Sequence, residues 1–185
     1  MPKTDITKTA LGVCLKELMK KKRLGQITVK DITSQCGVSR NVFYYHFRDK
    51  YDLVHWIFYS ETLPVINTFS DPERYLDGFV NLCKYMLQNR DFYMEVFNYV
   101  GQNSLSDSLV ESYFELMKIH ILTVYTQVGY KLAEDELYIL GRLEAYAYVG
   151  VIMEWVRGGM QANYMIYFEK LKKIKANLAF PLEAA

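Results

Sequence analysis

Apolar residues recur at three- and four-residue steps along most of this 185-residue chain, and that periodicity restricts it to helices packed on helices. Ala10, Val13, Cys14 and Leu18 set the pattern and predict a first helix from about Asp5 to Arg23, ending at Leu24-Gly25. Thr28 is a good N-cap for a short second helix carrying Val29, Ile32 and Cys36. Gly37 and Val38 form a turn, Ser39 caps a third helix to about Phe47, and Asp49 caps a fourth reaching at least Leu63. Pro64 ends or kinks that helix. Ser70-Asp71-Pro72 reads as a cap followed by a first-turn proline, starting a helix to about Gln88. Further helices are expected over about Asp91 to Val100, Leu105 to Val128, Glu134 to Arg157 and Asn163 to Leu178. No Asn-Gly or Asp-Gly turn stands between alternating apolar residues, so strands have no signal. The expected fold class is all-α, with about nine helices.

Composition narrows the function. A hydrophobic fraction of 51% excludes a wholly disordered chain. The net charge of +1 hides an uneven spread: residues 1–60 carry 11 basic and 5 acidic side chains, and the remainder is net acidic. Such asymmetry points to an anionic partner, although a cluster such as Lys20-Lys21-Lys22-Arg23 can equally be a solvated helix end. Cys14, Cys36 and Cys83 are odd in number and far apart in sequence, so they read as small core side chains and not as a disulfide or zinc framework. No catalytic constellation, phosphate loop or metal-ligand spacing is present, and Ser34, Ser39 and Ser104 lack a nucleophile-elbow context. The expectation is therefore a non-enzyme without cofactor or metal. The N-terminus lacks the apolar core of a secretory signal and no run is long enough to span a membrane, which predicts a cytoplasmic protein with no membrane partner.

The informative segment is Ile27 to Leu53, two short helices joined by a turn containing Gly37, which is a helix-turn-helix. Ile32, Cys36, Val38, Phe43 and Phe47 would face inward, leaving Arg40, Asn41, Val42, Tyr44, Tyr45 and His46 for solvent or a partner. In a DNA major groove, Arg pairs with guanine, Asn with adenine, and an apolar side chain touches the thymine methyl. Tyr hydroxyls and Lys ammonium groups suit phosphate oxygens, and Lys50, Thr28 and Lys30 sit at helix starts where backbone amides also favour phosphate. The competing reading is a structural helical hairpin whose tyrosines bury against a neighbour.

The run Thr28-Val29-x-Asp31-Ile32, then Gly37-Val38-Ser39-x-x-x-Phe43-Tyr44-Tyr45-His46-Phe47-x-x-Lys50-x-x-Leu53, closely resembles the TetR family of bacterial transcription regulators. The resemblance implies a DNA-binding helix-turn-helix domain over residues 1–50 and a helical effector and dimerisation domain over 51–185. It places Arg40 and Asn41 against bases with Val42 nearby, and Thr28, Lys30, Ser39, Tyr44, Tyr45, His46 and Lys50 on the DNA backbone. Asn41 departs from the glycine or small residue of many members. More loosely, Trp56-Ile57-Phe58 and Trp155 before Gly158-Gly159-Met160 resemble the branch that includes regulators of dihydroxyacetone kinase operons, where the signal comes from a partner protein in place of a small molecule.

The same resemblance implies a homodimer joined through its last two long helices and reading a pseudo-palindromic double-stranded operator. Leu140, Gly141, Leu143, Ala147, Val151 and Trp155 are compatible with that interface, or with the centre of a single subunit. A ligand pocket is implied in the tyrosine-rich domain. Tyr85, Met86, Tyr113, Met117, His120, Tyr146 and Tyr148 are its candidate lining, with ordinary core packing the alternative. The regulator class therefore stands against a helical protein-interaction module that takes a signal from a partner or has lost DNA binding.

Overall fold

The computed structural model describes residues 3–64, 75–99, 105–161 and 164–178, and every described element is helical. The helices are α1 (Lys3–Met19), α2 (Val29–Cys36), α3 (Arg40–His46), α4 (Lys50–Thr62), α5 (Tyr75–Gln88), α6 (Arg90–Phe97), α7 (Leu105–Gln127), α8 (Glu134–Arg157) and α9 (Tyr164–Leu178). A short 3-10 turn, Leu24–Gln26, separates α1 from α2. The all-α architecture thus agrees with the periodicity. The expected helix start at Pro72 lies outside the described residues.

Local chemistry accounts for most boundaries. Thr28, Ser39 and Asp49 each accept backbone N–H groups of the helix that follows, as their side chains predict. Glu136 accepts the Ala133 amide at 2.8 Å, so the acidic start of α8 both caps it and opposes its dipole. The first helix is shorter than its periodicity suggests. It closes at Met19, and Lys20 to Arg23 form an exposed turn in which the Lys21 and Lys22 amides return to the Leu18 carbonyl. The basic cluster is therefore not the last turn of a helix.

α1 packs on α2 and α4, and α2 on α3, enclosing a small core of Leu11, Leu15, Ile32, Phe43 and Leu53. The larger group is organised by α7 against α8, its most extensive described helix contact. Phe79 of α5 stacks nearly parallel on Tyr113, Tyr148 and Phe168, at 5.2, 4.2 and 5.6 Å between ring centroids, tying α5 to α7, α8 and α9. Phe58 meets Tyr93 and Phe97 edge-on, joining α4 to α6.

This packing revises several sequence expectations. Met86, Met117, Tyr113 and Tyr148 are core residues, with Tyr113 and Tyr148 filling space beside Phe79. His120 is also buried. Tyr146 stands 62% exposed on the outside of α8 and lines no interior pocket. Burial and the nearby Glu61 carboxylate push the Tyr85 phenol up to about 12. A cleft of about 270 Å³ does lie between α4 and α7, bordered by Phe58, Tyr59, Leu63, Leu109, Tyr113 and Leu116. Of the expected pocket residues, Tyr113 is the one on that border.

Gly141 and Trp155 also leave the expected dimer face. A Cβ on Gly141 would come within 3.0 Å of the Phe114 ring, so that glycine lets α7 approach α8 inside one subunit. Trp155 is 1% exposed and donates its indole N–H to the Gln161 carbonyl at 2.8 Å. The outer face instead carries Ile119 and Leu122 of α7 with Ile139, Leu143 and Tyr146 of α8, all exposed, beside exposed Ala147 and Gly150. Leu140 and Val151 are half-buried. Cys14 and Cys36, remote in sequence, both lie half-buried against the core, and Cys83 is buried.

Candidate nucleic-acid interface

The candidate interface begins at the capping box of α2. Thr28 Oγ1 accepts the Asp31 amide at 3.1 Å, while the Asp31 carboxylate accepts both the Thr28 amide and its hydroxyl at 2.8 Å. Those bonds hold the Asp31 carboxyl below the usual carboxylate range, the backbone amide contributing most. The Thr28 hydroxyl is thereby committed to the cap. Lys30, two residues on, is exposed.

α2 ends at Gly37, which has φ 69° and ψ 27° and directs the chain into α3. A side chain there would strain the left-handed backbone, so glycine is the suitable residue. Ser39 then caps α3 through the Val42 amide at 3.3 Å. Because α3 is anchored by Phe43, fully buried, and Phe47, its orientation is fixed by the core. The opposite face is thereby presented outward. Arg40 and Asn41 are exposed, Tyr44 and Tyr45 are 56% and 82% exposed, and Val42 and His46 are half-buried at the margin. Tyr45 and His46 meet edge-on at 4.9 Å. An arginine, an asparagine and two phenols on one outward face form a surface able to donate and accept hydrogen bonds in a groove. The alternative of tyrosines buried against a neighbouring helix does not describe this chain.

Lys50 behaves differently from its sequence-based expectation. Its ammonium donates to the carbonyls of Leu24, Gly25 and Ile27 at 2.7, 3.0 and 2.6 Å. An ammonium has three N–H groups, so this arrangement uses all of them and leaves none for a phosphate. Burial lowers the Lys50 pKa, opposed by the Asp49 and Asp31 carboxylates. On the other side of the same turn, the Leu24 amide donates to Glu95 of α6 at 2.8 Å. Tyr51 stacks on Tyr99 at 4.6 Å. The turn Leu24–Gln26 is thus held between α4 and α6. Nothing local in the sequence marks a partner 71 positions away, which is why Glu95 was missed.

Replacing Lys50 with Met would leave three carbonyls without their donor. The expected loss is about 1.5–3 kcal/mol of stability, read from a denaturant midpoint, with the salt dependence of DNA binding unchanged. A flatter salt dependence with full stability would restore the phosphate role.

Among the described residues no helix is long and apolar enough to cross a membrane, and no group of three or more metal-ligating side chains is present.

Residues 16–57 match the family model for bacterial regulatory proteins of the tetR family. Residues 73–176 match that of a transcriptional regulator C-terminal region. Over 97 residues the chain is 31% identical to the HTH-type dhaKLM operon transcriptional activator DhaS of Lactococcus lactis subsp. lactis, and the match covers 52% of each chain. The chain therefore spans about half the length of that curated relative. A solved structure of a dihydroxyacetone kinase operon activator, DhaS, shares the fold with a TM-score of 0.66 and 23% identity, over 94% of this chain and 97% of the other. Both the family and the branch anticipated from the helix-turn-helix and tryptophan motifs agree with these likenesses.

Proposed function

Because the chain belongs to the TetR family of bacterial transcription regulators, we propose that it binds a pseudo-palindromic DNA operator as a homodimer, under the control of an effector at its C-terminal region. The observation that carries this reading is the outward face of α3, where Arg40, Asn41, Tyr44 and Tyr45 stand exposed over a fully buried Phe43. Arg40 and Asn41 read base edges with Val42 beside them. Lys30, Ser39, Tyr44, Tyr45 and His46 contact the backbone, and Thr28 and Lys50 position the elements that do so. Residues 1–50 form the reading unit, and 51–185 the pairing and sensing unit. The second copy covers the outer face of α7 and α8, where Gly150 has open space around it. No catalytic role is assigned.

Control follows if the effector binds the DNA-competent and incompetent arrangements with different affinity, a coupling typically worth ~1–3 kcal/mol. The apolar cleft between α4 and α7 supports a small effector. A signal from a partner protein is the second reading, favoured by the exposed Ile166, Tyr167 and Ile174 of α9. The partial likeness to a transcriptional activator favours activation as the outcome.

Binding to duplex DNA across a salt series tests the central claim. Affinity should fall steeply, with a log–log slope of about −0.9 per neutralised phosphate. Arg40→Ala should cost ~1–3 kcal/mol of discrimination between operator and random sequence while retaining nonspecific binding. A flat salt response refutes DNA binding, and equal loss on both DNAs refutes the base-reading role.

A further inference from the structure

The exposed turn Lys20 to Arg23 borders two adjoining clefts where the end of α1 meets α6. The larger, of about 520 Å³, opens between α1 and the junction of α5 with α6, room enough for a small molecule. Three cations border it: Lys16 in the last turn of α1, Lys20 just beyond that helix, and Arg90 at the start of α6. Its apolar wall is Met19, Leu87 and Phe92. The second cleft shares Met19 and Asp91 with the first and sets Lys21, Lys22 and Arg23 against Asp91 and Glu95, which keeps the approach net positive.

Two of the three cations are loosely held. Lys20 pairs with Glu17 at 2.6 Å, but both side chains are exposed, and such a pair contributes little. Asp91, the one carboxylate bordering the larger cleft, stands fully exposed 3.8 Å from the Arg90 guanidinium and can turn into solvent. Arg90 Nε donates to the Gly159 carbonyl at 3.2 Å, which steadies the guanidinium and leaves it further N–H groups to donate. Lys16 is firmly placed, its ammonium meeting Glu61 of α4 and lying 4.8 Å from the Phe92 ring centroid. Glu61 also accepts the Tyr93 hydroxyl at 3.2 Å.

We propose that this cleft binds a small organic phosphate monoester, its phosphoryl group held by Lys20 and Arg90 and its apolar body against Met19, Leu87 and Phe92. A phosphate dianion has three oxygens to share among three cations, whereas a carboxylate has two oxygens and a single charge. The ligand joins α1 to α6 and competes with Glu61 for Lys16, the contact between α1 and α4. Occupancy therefore shifts DNA affinity, a consequence that rests on the function proposed above, whereas the binding itself does not.

Calorimetry on the full-length protein at constant ionic strength tests this with phenyl phosphate as probe, against inorganic phosphate, benzoate and benzyl alcohol. One phenyl phosphate should bind per chain, about 10-fold or more tighter than any of the three. Lys20→Ala should weaken it about 5-fold or more with an unchanged melting temperature, and Lys20→Arg should restore it. Lys30→Ala, which removes an exposed cation of α2, should leave it unaltered. Hydrogen exchange should slow over residues 88–92. No saturable binding, a comparison compound that binds as tightly, or a loss in Lys30→Ala and not in Lys20→Ala overturns the proposal. Saturating phenyl phosphate should shift the Kd for duplex DNA about 5-fold or more in the wild type and not in Lys20→Ala. Ligand binding with unchanged DNA affinity overturns the regulatory half. If the free protein binds no duplex DNA, the functional reading fails, and calorimetry still decides the site.

Discussion

Replacing Leu143 with Glu is expected to convert the protein to monomers and to lower operator affinity by about 10²–10⁴-fold. Leu143 is 63% exposed on α8, about one helical turn from exposed Ile139 on one side and exposed Tyr146 on the other. Large apolar side chains aligned along one face of a long helix are unusual on a surface meant for water. A carboxylate buried there without a partner would cost several kcal/mol per subunit, and the symmetry of a homodimer places the change twice in one interface. The two recognition helices would then act separately. Their effective concentration on the second half-site would be lost, although each α3 would remain intact. Sedimentation and DNA titration check this together with a melting curve. A wild type that sediments as a monomer, or a dimeric variant with unchanged affinity, would refute the assignment of this face.

The second large effect is expected in Phe43→Ala. The ring is fully buried, within 5.8 Å of Phe47 and edge-on to Tyr44 at 5.6 Å between centroids. Truncation removes its transfer free energy and leaves a cavity in a core too small to fill it by collapse, for a cost of about 3–5 kcal/mol. That is a large part of the ~5–15 kcal/mol that holds a domain folded. DNA binding should disappear through loss of α3, with hydrogen exchange rising over α2 and α3 and remaining slow in α7 and α8. Phe43→Leu, which keeps most of the volume, should recover most of the stability and the binding. A Phe43→Ala protein with wild-type exchange in α3 would show that the ring does not anchor the helix.

Features governed by neighbouring residues were legible in the sequence. Thr28, Ser39 and Asp49 announce their helices because a cap is satisfied within three residues. Gly37 announces the turn for a similar reason. What depends on docking was not legible. Gly141 and Gly150 are equivalent small residues on one helix, yet α7 closes over the first and leaves the second open. Aromatic residues that could line a pocket instead stack on Phe79, since periodicity marks a buried face but not how tightly it closes. Lys50 looked like a phosphate ligand because its carbonyl partners lie in a turn that no local rule places beside α4.

The bond from the Leu24 amide to Glu95 makes that single N–H a gauge of whether the two parts of the molecule move as one. Leu24 lies in the turn before α2 and Glu95 in α6, so this bond holds only while α6 stays docked on the N-terminal helices. Its exchange with solvent therefore reports the least costly opening that frees it, and the undocking of α6 is one such opening. An effector that loosens α6 would quicken this one amide before any helix melts.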